Sequence, residues 1–94
     1  MKNNKCKFDQ EDSCAVITIK QILEKKIDIN LVYHDKDDHG WQFLSTINFT
    51  DDDARVVSLK NIIELDISIC DISHIKPGYH AIKENAKLYV HETK

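Results

Sequence analysis

Apolar residues in this chain fall into short runs whose period changes several times. Cys14-Ala-Val-Ile-Thr18 is compact, apolar and β-branched, which predicts a buried strand. Thr18 and Gln21 have capping-box spacing, and Ile19, Ile22 and Leu23 follow at helical intervals, so a short helix is expected to about Lys26. The competing expectation is one helix from Ser13 to Lys26. Ile27–His34 and Trp41–Thr46 alternate as strands around the polar stretch Asp-Lys-Asp-Asp-His-Gly, where glycine is free to take positive φ. That pattern predicts an antiparallel hairpin of residues 31–35 and 41–45 with its tip at 36–40.

The second half repeats the change of period. Thr50-Asp-Asp-Asp53 places a cap and negative charge where a helix would start, which suits the helix macrodipole. Ser58 can cap a helix carrying Leu59, Ile62, Ile63 and Leu65. Ile67, Ile69, Ile72 and Ile75 predict a further short helical or irregular buried segment. Lys76-Pro-Gly78 breaks the chain, and Tyr79–Lys83 with Leu88–His91 forms a closing hairpin around residues 84–87. The expected fold is α+β in the order β-α-β-β-α-α-β-β. It has a small antiparallel or mixed sheet of about five strands and two to three short helices.

Ninety-four residues make one domain, with residues 1–12 expected as a loose polar tail. Only two glycines and one proline argue against disorder and against a turn-rich sandwich. No apolar run reaches the roughly 18 residues of a membrane span, and no secretory signal is visible. Three cysteines without C-x-x-C spacing (Cys6, Cys14 and Cys70) predict reduced thiols and a cytoplasmic protein.

Charge is distributed unevenly. Residues 28–53 hold seven acids against Lys36 alone, a net −6, whereas the remainder carries +3. The acidic middle disfavours nucleic acid and suits a basic protein partner.

The chemical motifs are incomplete. Read as a calcium loop from Asp35, the hairpin tip has His39 at position 5, where an oxygen ligand is required, and Thr46 at position 12, where a bidentate glutamate is required. His34 and His39 flank the tip, and His80 and His91 face each other if the last turn centres on Asn85-Ala86. Neither pair has a third ligand in view. Cys14 and Cys70 sit in apolar company, which raises thiol pKa and marks them as core. No nucleophile elbow, phosphate loop or dinucleotide fingerprint occurs. The reading is non-enzymatic, with no cofactor and no metal. Phe43 is expected in the core, and Trp41, at the hairpin rim, partly exposed.

The order of residues nevertheless resembles that of a family of small bacterial immunity proteins from polymorphic toxin systems. The similarity runs through Cys14-Ala-Val-Ile-Thr, Ile22-Leu23, Leu31-Val-Tyr33 and Asp38-His-Gly40-Trp41-Gln-Phe43. It continues through Ile62-Ile63-Glu-Leu-Asp66-Ile-Ser-Ile69 and Pro77-Gly78-Tyr-His-Ala81. This chain has histidine where the family has serine before Gly40, and Gln42 where it has arginine. The resemblance implies a cytosolic antidote that covers the active surface of a cognate toxin, many such toxins being basic nucleases. The expected contact residues are Asp35, Asp37, Asp38, Trp41, Asp51, Asp52 and Asp53, with no membrane role. The alternative is a small cytosolic domain that binds a ligand or metal.

Overall fold

The computed structural model describes residues 8, 11, 13–85 and 87–93. Its strands are β1 (Ala15–Ile19), β2 (Leu31–His34), β3 (Trp41–Leu44), β4 (Ala54–Ser58), β5 (Tyr79–Glu84) and β6 (Lys87–Glu92). They form one sheet in the order β4-β1-β3-β2-β5-β6. The helices are α1 (Lys20–Leu23) and α2 (Leu59–Leu65), with 3-10 segments at Asp51–Asp53 and Ile67–Ile72. The α+β class expected from the sequence is present; of the antiparallel and mixed alternatives the sheet is mixed, with six strands where about five were expected.

The chain reverses between β1 and β2 and again at the β2–β3 hairpin. β3 therefore runs parallel to β1, with Ile17 opposite Gln42. All other neighbouring strands are antiparallel. The predicted hairpin pairs Leu31 with Leu44 through His34 with Trp41. At its tip the left-handed residue is His39 (φ 60°), not the expected glycine. Gly40 is needed for close approach instead. Its N–H donates to Asp38 Oδ1 at 2.8 Å, and a Cβ there would lie 3.0 Å from that oxygen.

Several local expectations are corrected. The predicted strand at 27–34 is strand only over Leu31–His34. The capping box at Thr18 does not form, because the Thr18 hydroxyl is buried in the sheet and donates to the Phe43 carbonyl at 2.7 Å. α1 starts at Lys20 behind Ile19, so the single helix from Ser13 is also excluded. Thr50 and Asp53 do form a capping box, but it closes only one 3-10 turn before the chain extends into β4. Ser58 caps α2 as expected, accepting from the Asn61 N–H at 3.2 Å. Ile69, Ile72 and Ile75 are buried, whereas Ile67 is 65% exposed.

One face of the sheet builds the core. Val16, Val32, Trp41, Phe43 and Ala81 are buried there in one cluster with Leu59, Ile62, Ile69, Ile72 and Ile75 from the helical layer. Each of the valine, leucine, isoleucine and phenylalanine side chains contributes roughly 1.5–3 kcal/mol on full burial. The tail expectation for residues 1–12 lies mostly outside the described residues. Phe8, which is described, is no loose residue: its ring meets Trp41 edge-on at 4.8 Å between centroids. The expectation for Cys6 and the placement of Ala86 also lie outside the described residues.

Candidate protein-binding face

The acids that form one block in sequence are divided by the sheet. The tip carrying Asp37 and Asp38 precedes Trp41 at one end of β3, while Ala54 pairs with Ile19 at the far end of β1. Because Ile17 lies opposite Gln42 in parallel register, the two acidic groups stand about four strand residues apart, roughly 13 Å along the strand direction. The expected continuous acidic face is therefore two separate patches.

Several of these carboxylates are engaged in local structure. Asp35 Oδ2 accepts from the Gln42 amide at 2.8 Å, and Asp38 holds the Gly40 N–H. Asp53 accepts from Gln21 Nε2 at 3.0 Å and from the Thr50 N–H at 3.1 Å, with Lys20 Nζ 3.7 Å from its other oxygen. The Gln21 bond, the Thr50 bond and the Lys20 charge hold its carboxyl below the ordinary carboxylate range. Asp37, Asp51 and Asp52 are exposed. Trp41 is 1% exposed and belongs to the core, which corrects its expected place at an interface.

The thiols and imidazoles are also placed. Cys14 is free, but Cys70 is disulfide-bonded, so the expectation of reduced thiols throughout does not hold. His80 and His91 do face each other across β5 and β6, with 5.8 Å between ring centroids. His80 Nδ1 lies 2.7 Å from the Thr93 hydroxyl oxygen. Burial, and then the charge of His91, push the His80 pKa below its ordinary value. Among the described residues, no three His, Cys, Asp or Glu side chains are grouped to hold a metal ion. None of the described helices is long and apolar enough to cross a membrane.

The feature missed at the sequence level lies on the sheet face turned away from the helical layer. Cross-strand pairs place Val56, Ile17, Gln42, Tyr33, His80 and His91 in one row across all six strands. Two residues along lie Ala54 with Ile19, and Leu44 with Leu31, Ile82 and Tyr89. Neither row contains Asp, Glu, Lys or Arg, in a chain that is 31% charged. Ile19 and Leu44 are buried at the end of the second row, but Val56 is 70%, Tyr89 45% and Ile17 40% exposed. An antiparallel sheet facing water on one side ordinarily alternates apolar-in with polar-out. The available signal was the reverse: Ile17, Leu31, Tyr33, Ile82 and Tyr89 occupy the outward positions. No family model, no curated protein and no solved structure matches this chain.

Proposed function

We propose that this protein is a non-enzymatic, immunity-type domain that binds and neutralises a cognate bacterial toxin or another basic protein. The observation that carries this reading is the open sheet face with its two rows free of charged side chains. Strands about 4.8 Å apart and rows about 7 Å apart give it a flat area of roughly 400 Å². That matches the largest apolar patch of an ordinary monomer, roughly 300–600 Å² and often functional, and is below the roughly 800 Å² per partner of a standard complex. Flanking residues would complete the contact, and among them Asp35 sits beside Gln42 at the border of the face. The exposed Asp37 and Asp38 would speed the approach of a basic partner, while the apolar rows would slow its release. The family resemblance over residues 14 to about 83 supplies the class of partner.

Co-expression with a toxin encoded beside this chain tests the proposal. The native protein should restore growth and co-purify with the toxin. Ile17→Asp with Tyr89→Asp should remove both effects while circular dichroism and the melting cooperativity stay native-like. Full protection by that double variant would remove the open face from the mechanism. Absence of protection by the native chain would remove the neutralising role itself.

A further inference from the structure

Two imidazoles meet on the open sheet face near its β6 border. His80 and His91 are cross-strand partners, with 5.8 Å between ring centroids and 33° between ring planes. On its other side His80 is flanked by Tyr33, its partner on β2, at 5.1 Å between centroids. The His80 ring thus stands between two others and has little room to turn away. Its Nδ1 lies 2.7 Å from the Thr93 hydroxyl oxygen, which leaves Nε2 open to a further partner. The other close pair, His34 with His39, offers no such opening, because His34 is 2% exposed and stacked on Trp41.

A histidine that binds a metal through one ring nitrogen ordinarily donates the other N–H to a neighbouring oxygen, which fixes ring orientation and tautomer. The Thr93 hydroxyl is placed to be that acceptor. Metal binding also requires neutral imidazole, and burial, then the charge of His91, hold His80 below its ordinary pKa. Neither lysine nor arginine shares the row with these rings, so no fixed positive charge there opposes a cation. Two nitrogens bound to one zinc ion at about 2.0–2.1 Å in tetrahedral geometry stand roughly 3.3 Å apart. Small rotations about the side-chain bonds bring nitrogens of rings 5.8 Å apart to that separation, with the strand register unchanged. Imidazole pairs suit Zn²⁺, Cu²⁺ and Ni²⁺, whereas Mg²⁺ and Ca²⁺ seek oxygen ligands.

We propose that His80 and His91 form a surface site for a divalent transition metal such as Zn²⁺. His80 Nε2 and one ring nitrogen of His91 are the protein ligands, Thr93 is the positioning residue, and water fills the remaining positions. With two protein ligands where a structural zinc site has four, binding should be micromolar and no tighter.

The test uses the full chain with Zn²⁺ as the probe, in a non-coordinating buffer above the ordinary imidazole pKa of about 6.5. Cys14→Ala removes the free thiol as a competing ligand. Calorimetry should show one Zn²⁺ per chain and no heat with Mg²⁺. The NMR signals of the His80 and His91 rings should move together during the titration, while those of His34, His39 and His74 stay in place. His80→Gln and His91→Gln should each weaken binding at least tenfold. Thr93→Val should weaken it about tenfold at unchanged stoichiometry, and Thr93→Ser, which keeps the hydroxyl, should restore it. Affinity should fall as pH drops below about 6.5, because protons compete for the same nitrogens. No Zn²⁺ binding at millimolar concentration, unchanged affinity in His91→Gln, or ring signals that move at His39 or His74 and not at His80 would overturn the site. These readings need no toxin, so the site stands or falls apart from the neutralising role proposed above.

Discussion

The imidazole of His34 lies flat against the indole of Trp41, with 4.0 Å between ring centroids and 16° between their planes. The two residues are cross-strand partners in the β2–β3 hairpin. His34 Nδ1 is 2.8 Å from the Ile75 carbonyl oxygen, which can only accept, so Nδ1 carries the proton. The stack therefore ties the hairpin to the chain that follows the helical layer. Trp41→Ala should lower stability by about 3–5 kcal/mol, the range for a fully buried aromatic. Urea unfolding followed by circular dichroism measures this. A loss below about 1 kcal/mol would show that the ring is dispensable to the core.

At the hairpin tip the expectation is the reverse. Asp37 is exposed and makes no structural bond among those described, so Asp37→Lys should change stability by no more than about 0.5 kcal/mol. Asp38→Ala loses the bond to the Gly40 N–H and should cost about 0.5–1.5 kcal/mol. With a basic partner, reversing both charges should slow association and reduce its dependence on salt. A partner whose association rate ignores both changes would not be steered by this tip.

Acid should expose the role of Asp53. Its folded-state pKa lies below the ordinary 3.8, so the folded chain binds fewer protons than the unfolded chain as pH falls toward and below that value. The stability from this carboxylate is present above about pH 4 and is lost as pH drops through the folded-state pKa. Denaturant midpoints measured across the acid range should therefore converge for the native protein and Asp53→Asn. Parallel curves would mean that the Gln21, Thr50 and Lys20 contacts do not favour the charged form.

The His80–His91 pair makes a second, separate pH test. The folded-state pKa of His80 is lowered, first by burial and then by His91, so its effect on stability is complete above about pH 6.5 and declines as pH falls. In an NMR titration the His80 ring should change charge at a lower pH than a free imidazole. His91→Gln should move that midpoint upward without restoring it fully, because burial remains. An unmoved midpoint would leave burial as the sole cause.

Reduction should act through Cys70 and not through Cys14. Cys70 is buried and disulfide-bonded, so a reducing agent or Cys70→Ala should lower the melting temperature, whereas Cys14→Ala should leave the response to reductant intact. Removal of a native disulfide from a small domain costs about 2–5 kcal/mol. Melting curves with and without dithiothreitol make the comparison.

Much of the right half of the sheet could be read from sequence because its signals are local. The β2–β3 hairpin declares itself by alternation around a polar tip, and β5 and β6 by a break at Pro77-Gly78 and a register that sets His80 against His91. The left half depends on partners far along the chain. Ala54-Arg-Val-Val-Ser58 has one buried-side apolar residue, Val57, and follows a helical-looking cap, so only its pairing with β1 identifies it as a strand. The expected exposure of Trp41 and the single acidic face failed for a related reason. Trp41 sits at a hairpin end, where local pattern suggests exposure, but Phe8 and the helical layer cover it. The acids were neighbours in sequence only; the length of β1 and β3 separates them.

The place of β1 between β3 and β4 also sets an order of events during synthesis. β1 is the first of the described strands to be made, yet its register partners lie 25 positions later at Gln42 and 39 later at Val56, counted from Ile17. Translation at roughly 5–20 residues per second leaves about two to eight seconds between completing Ile19 and completing Ser58. Through that interval the apolar Ala15–Ile19 segment cannot hold both its native neighbours, even after the β2–β3 hairpin has emerged. The nascent chain is most open to mispairing with another copy during those seconds.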